Sequence, residues 1–179
     1  MLAGASFASE RATMRRMRID GERLDLIPLP AAAAAALPDH RAEAARIIGA
    51  SLPDAWPLAD LLGVLPMQAA AAPHQERFGI WLVVERETNS VVGDIGFHGP
   101  PEDGRVEIGF SMIPDRRRRG YASEAARSIV NWAMDQPGVR EVVARSDLDN
   151  VASARTLTAA GFARVGQRDG LIEWRRTRG

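Results

Sequence analysis

The sequence predicts an α+β fold: a mixed, mostly antiparallel central sheet with helices on both faces and one splayed pair of parallel strands. Three observations predict it. Between residues 78 and 113 three extended runs follow one another through short turns, which pairs them antiparallel. An amphipathic helix beginning near Ala122 then leads to a further extended run at 139–146, and a strand reached through such a crossover lies parallel to the one before it. A parallel neighbour beside an antiparallel meander leaves a splayed place between two strand ends where a long ligand can lie.

Taken in order, residues 1–16 hold small residues and scattered arginines without the continuous apolar core of a secretory signal. They are expected to be a flexible N-terminal extension, with Met14 or Met17 as alternative starts, and 17–179 a single domain. Residues 18–29 alternate in part and end at Pro28 and Pro30, so they are expected to form a first strand. Residues 31–37 and 39–52 read as helices, 51–57 as a loop by its prolines, and 58–72 as a short helix interrupted near Pro66. Trp56 and Trp81 read either as pocket lining or as core. The strands 78–86, 91–98 and 105–113 follow, with turns at 87–90 and 99–104, and Gly93, Gly96 and Gly109 mark bulges or close backbone approach. In the next helix Ala122, Ala125, Ala126, Ile129, Val130 and Ala133 share one face, and Pro137-Gly138 stops it. A hairpin from Phe162 to Trp174 turns at Asp169-Gly170, and 175–179 is expected to be a frayed tail.

Composition removes several classes of function. A length of 179 residues suits one domain with a substantial core, and the 23 basic residues balance 23 acidic ones, which gives no global attraction to nucleic acid or membranes. Every basic residue is arginine. No cysteine is present, so there is neither a disulfide framework nor a thiol nucleophile, and His40, His74 and His98 are too scattered to suggest a metal cage. No run approaches the ~18 to 20 apolar residues of a membrane span.

The most informative stretch is 108–126, where an extended run passes through a basic, Gly-containing turn directly into the helix. The first amides of a helix lack intrahelical partners and carry the positive end of its dipole, which makes such a junction an anion site. Gly120, Ala122 and Ser123 keep the turn small, and Arg116 to Arg119 surround it with charge. Taken alone, the arginine run reads equally as a solvated face or a compositional bias. A Gly-x-x-x-x-Gly-Lys-Ser/Thr loop and a Gly-x-Gly-x-x-Gly turn are both absent.

What is present, Arg117-x-x-Gly120-x-Ala122, resembles the Arg/Gln-x-x-Gly-x-Gly/Ala signature of the GNAT superfamily of N-acetyltransferases. The continuation Gly120-Tyr-Ala-Ser-Glu-Ala125 is similar to the branch typified by the ribosomal-protein acetyltransferases RimJ and RimL, which commonly has Gly where this chain has Arg118. The resemblance spans roughly residues 18–174, with motif support from Gly93 onward. It implies a GNAT-like fold and acetyl-CoA as co-substrate. Arg117, Arg118, Arg119, Gly120, Tyr121, Ala122 and Ser123 would hold its diphosphate, and its pantetheine arm would run between the parted strands along Met112 and Ile113.

The stretch 149–162 carries the second signal. On its own terms Asn150 is an N-cap and Gly161 a residue just past a helix C-terminus. The spacing Asn150-x-x-Ser153-x-x-x-Leu157-x-x-x-Gly161-Phe162 also resembles the RimJ/RimL branch, which implies that Asn150 and Ser153 sit beside the pantetheine and its sulfur. Where many GNAT enzymes carry a tyrosine acid, this chain has Leu157.

Acetyl transfer to an amine needs an unprotonated nitrogen, donors for a developing oxyanion and a proton for the departing thiolate. The candidates are Glu107 as base, directly or through water, the backbone N–H near Ile113 for the carbonyl oxygen, and the Ser153 hydroxyl near the sulfur. Glu107 reads alternatively as a structural partner of Arg105 or Arg145. His98 is the alternative base, since an imidazole ordinarily titrates near ~6.5, or else the cap of a strand end.

The expected function is therefore direct acetyl transfer in a ternary complex from acetyl-CoA to a primary amine, either a protein N-terminal α-amine or a small molecule. No metal, nucleic-acid or membrane partner is expected, the assembly would be a monomer or homodimer, and the location cytoplasmic. The rivals are a noncatalytic acyl-CoA-binding module and an arginine-driven nucleic-acid binder, the latter disfavoured by the balanced charge.

Overall fold

A computed structural model describes residues 17–72 and 75–178. The stretch 1–16, expected to be a flexible extension, lies outside the described residues, as does His74. Eight strands form one sheet: β1 (Ile19–Asp20), β2 (Leu24–Pro28), β3 (Ile80–Glu85), β4 (Ser90–Phe97), β5 (Arg105–Met112), β6 (Glu141–Asp147), β7 (Ala163–Arg168) and β8 (Leu171–Thr177). Their order is β1-β2-β3-β4-β5-β6-β8-β7, and only the β5–β6 pair is parallel. The α+β class and its single parallel pair are as the sequence predicts.

Helices cover both faces because the strands carry apolar side chains on both. On one face lie α1 (Ala31–Ala36), α2 (Arg41–Ile48), α3 (Ala59–Leu62) and α4 (Leu65–Ala69), packed through Ala33, Ala44, Leu61 and Leu65, with Trp56 of the loop before α3, against Leu82, Val84 and Ile113. On the other lie α5 (Tyr121–Met134) and α6 (Val151–Ala159). The expected stripe of α5 is buried there, with Ala125, Ala126, Ile129, Val130 and Ala133 all at 0% exposure against Val106, Ile108 and Val142. Each buried Ile or Val of such a stripe contributes about 1.5–3 kcal/mol, so packing outweighs intrinsic propensity in fixing this helix.

Several expected boundaries change for physical reasons. Residues 18–29 form not one strand but the β1–β2 hairpin, turned where the Gly21 N–H donates to Leu24 O at 2.8 Å. The 39–52 helix is shorter because Gly49 adopts a left-handed φ of 78° and ends α2. The 58–72 helix is two pieces, and Pro66 lies in the first turn of α4, where its missing N–H costs no hydrogen bond. The frayed tail expected at 175–179 is a correction: Arg175, Arg176 and Thr177 belong to β8, opposite Val143, Val142 and Glu141. Arg175 also pairs with Glu141 at 3.1 Å.

The feature that positions the site is where the parallel pair stops. Register runs from Arg105↔Glu141 to Ile108↔Ala144 and goes no further. Beyond it β5 stays with β4 as far as Met112↔Gly93, while β6 stays with β8 as far as Asp147↔Leu171. The strands part at their C-terminal ends, and α5 and α6 both begin at that open end. Gly93 holds the outer half of β5 in place, because a Cβ there would lie 2.2 Å from Ser111 O and 2.7 Å from Met112 Sδ. Gly93→Ala is expected to destabilise the protein by about 3 kcal/mol or more, as overpacking against backbone does. Urea denaturation measures this, and an unchanged midpoint would contradict the close approach.

Candidate active site

The turn between β5 and α5 leaves a row of amides open. A short 3₁₀ turn, Pro114–Arg116, uses Ile113 O and Pro114 O to take the N–H groups of Arg116 and Arg117. The next internal bond is from Glu124 N–H to Gly120 O, and no side chain caps the helix. Among the described residues, therefore, the N–H groups from Arg118 to Ser123 have no acceptor, at a helix end that favours negative charge. The path needs two left-handed residues, Arg118 at φ 59° and Gly120 at φ 79°. Glycine adopts that region freely, whereas Arg118 bears a steric cost of about 1 kcal/mol.

The arginines of this turn divide their tasks. Arg117 folds back, its Nε donating to Met112 O at 2.9 Å, while Arg118 and Arg119 are exposed. Arg116 turns inward, and its Nε lies 3.7 Å from Glu85 Oε2. The turn is fixed to the rest of the fold by two buried carboxylates. Glu124 accepts from Arg23 Nε at 2.9 Å and from the Arg23 backbone N–H at 2.8 Å, and Arg23 Nη1 reaches Arg119 O at 2.9 Å. Glu85 accepts a short hydrogen bond from the Tyr121 hydroxyl, which holds the Glu85 carboxyl below its ordinary pKa and raises that of the phenol. The side chain of Tyr121, expected at the phosphate turn, is thus an anchor in the core, and only its backbone faces the turn.

Backbone parity decides which amides face the gap. The Ile113 N–H donates to Val92 O at 3.0 Å, and Glu107 O accepts from the His98 N–H at 2.9 Å. Odd residues of β5 therefore spend their backbone groups on β4, and the even residues Phe110 and Met112 direct their N–H groups to the side that β6 has left. The Ile113 amide, expected to meet a carbonyl oxygen, is already bonded, and the Ile113 side chain is buried beneath α1–α4. At the start of α6 the Asn150 side chain accepts from the Ser153 N–H at 3.0 Å, the N-cap that the sequence indicates. Ser153 Oγ has no partner among the described residues.

On the face covered by α1–α4, the same strands carry three polar or bare rungs in succession. His98 and Glu107 form the first: His98 Nδ1 lies 3.4 Å from Glu107 Oε1, and Arg145 Nη2 lies 3.1 Å from Glu107 Oε2. Gly96↔Gly109 is the second, and His98 leans over it, since a Cβ on Gly109 would meet His98 Nε2 at 3.1 Å. Asp94↔Ser111 is the third. Asp94 is 7% exposed, and it accepts from Trp56 Nε1 at 2.9 Å and from Ser111 Oγ at 3.0 Å. Burial raises its pKa from 3.8 to about 6, against the opposing effect of those hydrogen bonds. Trp56, at 0% exposure, is core rather than pocket lining. Sequence reasoning missed Asp94, which reads there only as a polar residue inside a strand.

Comparison with known proteins gives a consistent picture. A family model described as an acetyltransferase (GNAT) domain matches residues 23–163. The uncharacterized N-acetyltransferase YjdG of Bacillus subtilis is 34% identical over 144 residues, 78% of this chain and 84% of that protein. The fold matches the ribosomal-protein-S5-alanine acetyltransferase of Vibrio fischeri with a TM-score of 0.65 at 13% identity, covering 90% of this chain and 96% of that one. It also matches the microcin C7 self-immunity acetyltransferase MccE, solved with acetyl-CoA and AMP, with a TM-score of 0.59 at 14% identity, covering 87% and 93% of the two chains.

The buried Asp94 carries a measurable cost. With its pKa raised from 3.8 to about 6, ionisation destabilises the folded state by roughly 3 kcal/mol above pH 6. The penalty shrinks as pH falls from 6 toward 3.8 and is absent below that, because the carboxyl is then protonated folded and unfolded alike. Asp94→Asn, which keeps an acceptor for Trp56, is expected to raise unfolding stability at pH 8 by about 1–3 kcal/mol and by clearly less at pH 4.5. Denaturant titration at the two pH values checks this, and a loss of stability at pH 8 would contradict it.

Proposed function

The chain is a member of the GNAT acetyltransferase family and takes its acetyl group from acetyl-CoA, and on that premise we propose that it transfers the group to a primary amine by direct attack in a ternary complex. The observation that carries the reading is the uncapped start of α5 set at the open end of the β5–β6 gap. The open amides from Arg118 to Ser123 fit a diphosphate, with Arg118 and Arg119 adding charge, and the unpaired edge of β5 fits a pantetheine arm lying as a further strand.

Acetyl-CoA supplies the thioester carbonyl, and the residues divide the remaining work. The Phe110 and Met112 N–H groups donate to the carbonyl oxygen as it gains charge, the role first expected of Ile113. His98 and Glu107 together serve as base. Glu107, steadied by Arg145, orients the imidazole through Nδ1, and Nε2 over Gly109 takes the amine proton directly or through water. Asn150 fixes the first turn of α6, and the Ser153 hydroxyl, free to donate, hydrogen-bonds the departing thiolate, which takes its proton from solvent. The same motifs, Gly120-Tyr-Ala-Ser-Glu-Ala125 and Asn150 to Phe162, support a place in the RimJ/RimL-like branch. Residues 17–179 would form the acetyltransferase domain, as a monomer or homodimer in the cytoplasm. Among the described residues no helix is long and apolar enough to cross a membrane.

Release of free thiol from acetyl-CoA across a panel of primary amines tests the assignment. His98→Ala and Glu107→Gln are each expected to lower turnover by about 10²-fold or more while calorimetric acetyl-CoA binding persists. Ser153→Ala is expected to cost about 10-fold in kcat. Full turnover in both the His98 and the Glu107 variants would remove the pair from the chemistry.

A further inference from the structure

Four carboxylates are buried among the described residues: Asp25, Glu85, Asp94 and Glu124. Three face an arginine, Asp25 with Arg18 and Arg86, Glu124 with Arg23 and Glu85 with Arg116. Asp94 faces none, in a chain with 23 arginines. Its contacts are two neutral donors, Trp56 and Ser111, and the other charged group that acts on it is Asp60 of α3, of the same sign. Burying a charge without a counterion is costly, and a neutral asparagine would accept from the Trp56 indole equally well. The negative charge is therefore surplus to the structural task.

Its place suggests what would balance it. Asp94 and Ser111 lie on the same sheet face as His98 and Glu107, where the proposed reaction puts the acceptor, and Ser111 is flanked in sequence by Phe110 and Met112, whose amides face the thioester gap. The Ser111 hydroxyl has a single proton and gives it to Asp94, at 3.0 Å from either oxygen. Its lone pairs consequently point away from Asp94, so half-buried Ser111 leaves an acceptor on this face of the sheet with a negative charge behind it. Such a wall attracts a cationic donor. That donor is distinct from the attacking nitrogen, which must be uncharged and which the His98 imidazole places over Gly109. Gly109 and Ser111 are two residues apart on one strand face, a spacing of about 7 Å.

We propose that Asp94, acting through the Ser111 hydroxyl, determines acceptor specificity by selecting an amine that carries a second cationic group about 7 Å from the reacting nitrogen. The proposal rests on the acetyl-transfer reading above and narrows its acceptor from any primary amine to a dication. Asp94 is a positioning residue, since it reaches the acceptor by way of Ser111.

The test compares 1,4-diaminobutane with butylamine, equal in chain length and different in the second charge. Thiol release gives kcat/KM for each, and calorimetry in the presence of coenzyme A gives binding independently of turnover. Wild-type protein is expected to favour the diamine by about 10-fold or more, chiefly in KM, because the added interaction lies away from the reacting atoms. In Asp94→Asn, and in Ser111→Ala should the first variant fold poorly, the ratio is expected to fall to about one. The wild-type preference is also expected to fade as pH drops through about 6, where Asp94 becomes protonated. Equal use or binding of the two amines by wild-type protein, or a preference that survives in both variants, would overturn the inference. Neither amine binding while acetyl-CoA binds and another acceptor is acetylated would overturn it too, and would leave the transferase reading standing.

Discussion

The site depends on a strand that cannot keep both of its neighbours. β6 follows β8 along its whole length while leaving β5 after Ala144. The consequence is a wedge with unpaired backbone along one side. Elsewhere an open edge of this kind is a liability. Here it opens between two layers of helices, α5 and α6 on one face and α1–α4 on the other, and a ligand with amide groups of its own can complete the ladder.

The wedge would be of little use if the turn above it were loose. The residues that give α5 an uncapped start lack internal hydrogen bonds, so their geometry must be imposed from outside. Glu124 and Glu85 impose it, one gripping the β1–β2 turn through Arg23 and the other holding Tyr121 beneath the helix. The carboxylates that would otherwise cap helices or sit in solvent are used as internal ties, each matched to a cation. Asp94 departs from that pattern: among the described residues it is the buried carboxylate with no arginine beside it, and its burial costs stability.

Much of this was legible in the sequence wherever the signal is local. The α5 stripe, the Gly120 turn, the Asn150 cap and the 80–112 meander all follow from spacing within a few residues, and each is present. What was illegible depends on register or on distant partners. Whether Ile113 or Met112 offers a free amide is fixed by the pairing of β4 with β5, since a shift of one residue exchanges the two edges. Arg175 to Thr177 look like a charged tail until β6 is placed beside them. The importance of Asp94 comes from Trp56, 38 residues earlier, and Ser111, 17 residues later. His98 and Glu107 were named separately, and only the antiparallel register brings them together beside Gly109.

The central claim is that the amides opening α5 grip a diphosphate and thereby aim a thioester down the wedge. Calorimetric titration with dephospho-coenzyme A, with pantetheine, and with adenosine as a control tests it most directly, because the first joins the thiol arm and the nucleoside through the diphosphate that the other two lack. The account predicts that dephospho-coenzyme A binds at least about 100-fold more tightly than either, near 2.7 kcal/mol of difference. Equal affinity of dephospho-coenzyme A and one of the other two for the folded protein would show that the turn contributes no grip, and would contradict the account at its root.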